Sequence, residues 1–398
     1  MSFHLEPRRY HVMALNPFHG GSHRQFLSGV IEGSRHRWTA LNGKPVHWKW
    51  RMRSAPLEMS RLANEAIAKS GSPDFLFCTD MLDLAAWRGL MRDHAIQSTP
   101  TSIYFHENQW TYPVSPHARP DVSFGYTNLQ FAITADACWF NSEFHRRDFL
   151  NASEAFVRRM PDARSEFSFP DLLAKSKVIY PGFSPPAESG GADREADAHL
   201  PRPQTSQASR SNSGGDSGGD SPLTIGWVSR WEHDKRPDRF TQLLDRLKKS
   251  GVSFQLVLLG ARPNAGNSDL ESITEKHADR IVYNGFAERQ EYERRLRQLD
   301  VVVSTADHEF FGIAICEAIW AGAVPILPNR LSYPELAPAS CLYRDLEEAE
   351  ALVRNLVEPA RRDEQSCLCR RRIAPMTLTS TVSQIDESID QLIDAAGS

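Results

Sequence analysis

Long apolar runs are missing from this chain. Nothing in it approaches the 18 or more apolar residues that a membrane helix requires, and mean hydropathy is −0.45. No membrane span is expected. An excess of one charge is missing too: 46 basic against 50 acidic residues give a net charge of −4. That excludes a histone-like polycation and leaves local basic patches open. Cysteine is scarce, with Cys78, Cys138, Cys316, Cys341, Cys367 and Cys369 too scattered for a disulfide framework in a chain of 398 residues. Cys367 and Cys369 form C-x-C, so ordinary reduced thiols are expected rather than a zinc pair. The opening Met1-Ser-Phe-His-Leu-Glu-Pro-Arg-Arg-Tyr10 lacks the uninterrupted apolar stretch of a secretory signal, which makes the cytoplasm the expected compartment.

What is present is ordinary globular material, 40% hydrophobic and 24% charged, long enough at about 150 residues per domain for two or three domains. From residue 185 to 222 the composition shifts to Pro, Gly, Ser, Ala and Asp, ending in Ser211-Asn-Ser-Gly-Gly-Asp-Ser-Gly-Gly-Asp-Ser221. Such a segment buries too little apolar surface to offset its ordering entropy and reads as a linker or insertion. Before it, short apolar runs stand at Val12–Leu15, Phe75–Cys78, Ile103–Phe105, Cys138–Phe140 and Val178–Tyr180. After it they stand at Leu223–Val228, Phe254–Leu259, Ile281–Tyr283, Val301–Val303 and Val324–Leu327. Helical stretches separate them, and Phe240, Leu243, Leu244 and Leu247 fall at i, i+3, i+4, i+7 on one stripe. Fully apolar strands alternating with helices predict parallel sheets covered on both faces. The expected architecture is α/β: two doubly wound, Rossmann-like domains facing across a cleft. They would span 1–184 and 223–398, with the last helix returning to the first domain.

In such sheets ligands sit beyond the carboxyl ends of the strands, so the residues just after each apolar run are the informative ones. After the first run, Gly20 and Gly21 lead into a helix, either as a tight turn or as backbone donors for an anion. After the third come His106, Glu107, Asn108 and Gln109, which bring acid, base and amide chemistry to the place where a cleft opens. Arg230 and Lys235 follow the sixth and suit two phosphates, although a solvated charge run has the same composition. Glu309-Phe-Phe-Gly-Ile-Ala-Ile-Cys-Glu317 places two glutamates eight apart around Gly312. If Phe311-Gly312 begins a helix, its N–H groups can meet a diphosphate while Glu317 lies two turns further on. Two exposed helix glutamates would give the same spacing. The continuation Ala318-Ile-Trp-Ala-Gly322-Ala-Val-Pro325 reads instead as a buried helix stopped by glycine and fed into a strand. Arg35, Arg37 and Trp38, then Trp48, Lys49, Trp50, Arg51 and Arg53, interleave cations with indoles. That pattern suits phosphate pairing and stacking on unpaired bases, or equally a tryptophan-anchored surface loop.

Glu309 to Glu317 with the following Ala-Gly-Ala-Val-Pro, together with Arg230 and Lys235, resembles the donor half of retaining glycosyltransferases of two-domain GT-B architecture. Gly20-Gly-Ser-His23, Tyr104-Phe-His-Glu-Asn-Gln109, Tyr112-Pro-Val114, Phe140-Asn-Ser142, Arg230-Trp-Glu-His-Asp-Lys235, His308-Glu-Phe-Phe-Gly312 and Tyr333-Pro-Glu335 are similar, in order, to the queuosine-tRNA mannosyltransferase family. The resemblance implies GDP-mannose as co-substrate and the cyclopentene diol of queuosine, in the anticodon of an aspartate tRNA, as acceptor. It implies no metal or other cofactor, in keeping with the absence of any D-x-D motif. Carried over, Arg230 and Lys235 neutralise the diphosphate, Phe311 and Gly312 present backbone donors to it, and Glu309 holds mannose hydroxyls. Glu317 takes the ribose, Gly20 and Gly21 face the phosphates or the acceptor, and His106 sits beside the reacting sugar. Two other readings stay open: a GT-B enzyme with a saccharide or lipid acceptor, since aromatic platforms also bind sugars, and a tRNA-binding protein with a dead donor site. Retention of Arg230, Lys235, Glu309 and Glu317 together speaks against the second.

Overall fold

The protein is described by a computed structural model covering residues 8–113, 121–185, 221–260 and 268–397. The segment expected as a linker, apart from its ends, and Val114 of the Tyr112-Pro-Val114 motif lie outside these residues. The chain divides into two compact units, Met1–Gly182 with Leu378–Ser398, and Phe183–Thr377.

The first unit is built on a parallel sheet of six strands among the described residues: β1 His11–Asn16, β2 Arg37–Asn42, β3 Phe75–Thr79, β4 Thr101–Phe105, β5 Ala137–Phe140 and β6 Ser176–Val178. Their order is β2-β1-β3-β4-β5-β6. Successive side chains of a strand point to opposite faces. Met13, Leu15, Leu76, Cys78, Ile103, Phe105 and Phe140 therefore join one core, against helices Trp48–Ser70, Leu84–Leu90, Val122–Thr134 and Glu143–Val157. Val12, Ala14, Phe75, Phe77, Tyr104 and Trp139 join the other, covered by helix Gly21–Gly33 and by the last helix, Leu378–Ala396, through Val382, Ile385 and Ile389.

The second unit repeats the plan with β7 Leu223–Val228, β8 Phe254–Leu259, β9 Ile281–Gly285, β10 Val301–Val303, β11 Val324–Pro328 and β12 Leu342–Tyr343, all parallel, in the order β12-β11-β10-β7-β8-β9. The stripe Phe240, Leu243, Leu244 and Leu247 is fully buried on helix Pro237–Lys249. β2 and β12 are edge strands that the apolar runs did not announce. Arg37-Trp-Thr-Ala-Leu-Asn42 is only half covered, so it needs no continuous hydrophobic run. In each sheet the strand order reverses at one point, between β1 and β3 and between β7 and β10, which in open sheets of this kind is where a ligand crevice forms beyond the carboxyl ends.

Candidate active site

Lys235 stands at the second crevice. The chain leaving β7 makes a short turn, His233–Lys235, that carries the lysine under the end of β10, where Thr305 Oγ1 donates to the carbonyls of Lys235 (3.0 Å) and Arg236 (2.8 Å). The ammonium donates to the His308 carbonyl at 2.7 Å and lies 3.3 Å from a Glu309 oxygen and 3.2 Å from Asp234 Oδ2. Burial works against its charge, but the carboxylates of Glu309 and Asp234 outweigh it and hold the amine above its ordinary range. A compact cation is thus fixed beside a carboxylate that keeps a quarter of its side chain open to solvent.

Immediately beyond Glu309, Gly312 has φ +101°, a conformation that side chains rarely adopt. Helix Ile313–Trp320 starts from it without any side-chain cap, leaving first-turn N–H donors for an anion. Ser332 Oγ pins the preceding loop by donating to the Phe311 carbonyl at 2.9 Å, and the Phe311 ring is buried. The helix begins at Ile313, so Glu309 precedes it and Glu317 is its fifth residue. That is little more than one turn in, not the two turns expected. Glu317 is 4% exposed, and its two oxygens accept from Arg289 Nη1 at 2.7 Å and Tyr292 Oη at 2.9 Å. Arg289 and Tyr292 were not legible in the sequence. They come from helix Arg289–Leu296, whose surface charge pattern looks like solvated helix. Arg230 is exposed and paired with Glu232 at 3.0 Å, five residues before Lys235 in the same connection.

In the first unit, polar residues end or follow the fully buried strands β1, β3, β4 and β5. Thr79 Oγ1 donates to Asn16 Oδ1 at 3.3 Å, the Glu107 amide donates to Asp80 Oδ2 at 2.9 Å, and Asn141 Nδ2 donates to the His106 carbonyl at 2.7 Å. His106 lies 4.1 Å from the His23 ring, centroid to centroid, between Phe26 and Tyr104, and its Nε2 is buried without a hydrogen-bond partner. Burial, then the neighbouring His23 and His145, push His106 well below the ordinary imidazole range, and burial pulls His23 down to about 4. Both rings are neutral at physiological pH. Asp80 goes the other way: burial and the Glu107 charge push its carboxyl up. Asp80 and His23 are additions to the expected set. Asp80 follows an apolar run as His106 does, so the same rule applied there finds it. Gly20 and Gly21 form the head of helix Gly21–Gly33. A Cβ on Gly20 would stand 2.3 Å from Pro45 Cβ, and Gly21 has φ +51°, so both positions require glycine.

Asn108 is a correction. It is fully buried, donates to Asp148 Oδ2 at 3.2 Å, and accepts from the Trp110 amide at 3.1 Å and the Thr111 amide at 3.3 Å. It shapes a turn rather than facing an acceptor, whereas Glu107 is only partly covered and accepts from Gln109 Nε2 at 3.1 Å. The basic, tryptophan-rich segment also divides. Trp48 to Arg53 open helix Trp48–Ser70, where residues two apart point about 200° from each other, so Trp48 and Trp50 cannot share one platform. Trp48 packs on Phe124 at 5.3 Å, and Arg51 is ion-paired with Glu58. Trp38 lies on the core beside Phe77, and Arg35 is held by Asp390 and Asp386 of the last helix. Trp50, 68% exposed, and the exposed Arg37, Lys49 and Arg53 are what remain at the surface. Among the described residues no group of three or more His, Cys, Asp or Glu could hold a metal ion, and no helix is long and apolar enough to cross a membrane.

The chain matches the family model for the N-terminal part of tRNA-queuosine alpha-mannosyltransferase over residues 11–183 and that for glycosyl transferases group 1 over residues 218–339. It is 32% identical over 334 residues to the tRNA-queuosine alpha-mannosyltransferase of Drosophila melanogaster, covering 84% of this chain and 83% of that protein. A GDP-mannose:cellobiosyl-diphosphopolyprenol alpha-mannosyltransferase of Xanthomonas oryzae is 30% identical over 184 residues, 44% of this chain and 47% of that one. Among solved structures, sucrose-phosphate synthase from Thermosynechococcus elongatus superposes with a TM-score of 0.67 at 13% identity, covering 98% of this chain and all of that one. Anabaena HepE in complex with UDP does so with 0.64 at 15% identity, covering 96% and 100%. These likenesses place the two parallel-sheet domains in the GT-B fold. With that fold and a relative matched along most of its length, the chain belongs to the tRNA-queuosine alpha-mannosyltransferase family.

Proposed function

We propose that this chain, acting in the cytoplasm, transfers mannose from GDP-mannose to the cyclopentene diol of queuosine in tRNA(Asp), with retention and without a metal. The observation that carries the reading is the Lys235–Glu309 pair, 3.3 Å apart, set against the uncapped helix start at Gly312 at the crevice of the second sheet. A fixed cation and free N–H groups suit a departing diphosphate, and the charge that a metal otherwise brings comes here from Lys235 and Arg230. The adjoining carboxylate of Glu309 suits the hydroxyls of the transferred sugar. Glu317, preset by Arg289 and Tyr292, suits the ribose, since each of its oxygens retains a lone pair. Family membership supports queuosine in tRNA as the acceptor, and the Xanthomonas relative, GDP-mannose-dependent by name, supports the donor.

In the reaction so read, the bond from the sugar's anomeric carbon to the diphosphate oxygen breaks as the bond to the acceptor hydroxyl forms on the same face. The acceptor proton passes to the departing oxygen. A neutral His106 suits a place beside the reacting sugar, since an uncharged ring adds nothing that would compete with a developing oxocarbenium ion. Calorimetry with GDP-mannose and UDP-glucose, followed by α-mannosidase digestion of the product and an assay in chelator, tests each part. Tight binding of GDP-mannose alone, release by α-mannosidase and full activity in chelator are expected. Preference for UDP-glucose, resistance to the glycosidase or inactivation by chelator overturns the corresponding part.

A further inference from the structure

Beyond the donor crevice, along the same rim of the second sheet, β11 and β12 end at a cavity of about 450 Å³. Its polar lining holds four arginines, Arg236, Arg239, Arg330 and Arg344, the amides Gln242 and Asn329, Tyr343, and one carboxylate, Asp345. Three of these arginines converge on one carboxylate. Asp307 accepts from Arg236 Nη1 at 2.8 Å, Arg239 Nη1 at 2.6 Å and Arg330 Nη2 at 2.7 Å. Arg236 is also held by Asp238, with contacts of 2.8 and 2.6 Å. Four guanidinium groups, those of Arg236, Arg239, Arg330 and Arg344, face four carboxylates, those of Asp307, Asp238, Glu348 and Asp345, so the charges balance and what the cavity offers an anion is its uncommitted N–H donors. Asp345, which lines the cavity, is turned to the start of helix Leu346–Asn355, where its Oδ1 accepts from the Glu347 and Glu348 amides at 3.0 and 2.9 Å, and Glu348 pairs with Arg344. Asp307 stays ionised, because hydrogen bonds from Arg236 and Arg239 outweigh burial and hold its carboxyl below the ordinary range.

The chemistry of this arrangement is that of a preorganised anion receptor. Each guanidinium carries five N–H donors in a planar fork matched to phosphate oxygens. Arg239 commits only one of them, to Asp307, and Arg330 commits one nitrogen, Nη2, shared between Asp307 and the Ala306 carbonyl at 3.0 Å. Asp307 fixes the forks in place, which removes most of the side-chain entropy that binding would otherwise cost. The cavity is continuous in sequence with the donor residues, because Arg236 follows Lys235 and Asp307 precedes His308 and Glu309. A ligand whose reactive group lies at the donor crevice and whose chain carries further phosphates has a second foothold here.

We propose that the cavity between Arg239, Arg330 and Arg344 binds a backbone phosphate of the acceptor RNA. The proposal rests on the reading of tRNA as acceptor. The same forks would take free phosphate, so the test separates the two sources.

The full chain is titrated with labelled tRNA between about 50 and 200 mM salt, and with inorganic phosphate as a competitor. Three variants are compared with the wild type: Arg239→Ala with Arg330→Ala, Arg239→Lys with Arg330→Lys, and Arg344→Glu. The alanine pair weakens tRNA binding about tenfold or more, and lowers the slope of log affinity against log salt by about 0.7–0.9 for each phosphate that is no longer paired. The lysine pair keeps the slope and loses part of the affinity, since charge remains and the fork is gone. Arg344→Glu, an exposed change that leaves Asp307 untouched, lowers affinity severalfold even if the alanine pair folds poorly. GDP-mannose affinity is unchanged in all three. Wild-type tRNA affinity and slope in the alanine pair and in Arg344→Glu overturn the proposal while leaving the tRNA reading standing. Loss of phosphate competition with tRNA affinity intact makes this a small-anion site and overturns it too. A wild-type chain that binds no tRNA at any salt brings down the reading and the proposal with it.

Discussion

Replacing Lys235 by alanine tests the donor crevice at its most constrained point. Lys235 is 8% exposed, and its ammonium is shared between the His308 carbonyl at 2.7 Å, Asp234 at 3.2 Å and Glu309 at 3.3 Å. Two effects follow from its removal, and they are separable. The fold loses the cation between two carboxylates. A fully buried pair broken in this way costs about 3–5 kcal/mol, and because Glu309 is a quarter open the cost here is about 2–3 kcal/mol. For a unit of this size that lowers the melting temperature by about 5–10 °C. The donor loses a charge-assisted contact to its diphosphate, worth about 1.5–3 kcal/mol, which weakens GDP-mannose binding about 10- to 150-fold. Calorimetry well below the melting point reads the second effect free of the first, and Lys235→Arg recovers part of it by restoring charge. A variant that melts earlier but binds GDP-mannose with wild-type affinity makes Lys235 a structural residue only and refutes the phosphate role.

Glu317→Ala removes the acceptor of the Tyr292 hydroxyl and one of the two carboxylates that hold Arg289, so it lowers both stability and donor affinity, whereas Glu309→Ala mainly lowers kcat; steady-state kinetics in which both change only KM contradict this division. Trp50→Ala weakens tRNA binding at unchanged stability, within about 0.5 kcal/mol, while Trp48→Ala, which empties a contact with Phe124, costs about 2–3 kcal/mol. Equal melting temperatures for the two variants count against the helix assignment. The folded chain keeps His23 neutral down to about pH 4, whereas the unfolded chain takes up that proton near 6.5. Stability therefore falls as pH drops from 6.5 towards 4, by about 1.4 kcal/mol per unit from this residue alone. His106 acts in the same direction. Urea unfolding at pH 7.5 and 5.5 shows a smaller difference for His23→Gln than for the wild type, and identical differences rule out burial of a neutral ring.

The strands that carry the site were legible because both faces of each sheet are covered, which forces continuous apolar runs such as Phe75–Cys78 and Leu223–Val228. The rule that ligands gather beyond those runs singles out His106, Lys235 and Gly312, and the structure sets each of them in the connection that follows a buried strand. It failed where local pattern is degenerate. Alternating cations and tryptophans read as one surface, but a helical twist sends Trp48 inward and Trp50 outward, and the sequence Trp48-Lys-Trp-Arg-Met-Arg53 does not declare its period over six residues. Asn108 carries the same letters as a binding amide and instead closes a turn, a choice made by Asp148 forty residues away. The partners of Glu317 were equally invisible, since Arg289 and Tyr292 sit on a helix whose other residues form ordinary surface pairs.

The most direct measurement is mass analysis of nucleosides after the purified chain is incubated with GDP-mannose and tRNA that carries queuosine. The account predicts that queuosine from tRNA(Asp) gains the mass of one hexose, that the gain disappears when GDP-mannose is omitted, and that Lys235→Ala slows it. Queuosine left unmodified in tRNA(Asp), by a chain that binds both substrates and hydrolyses or transfers mannose elsewhere, contradicts it.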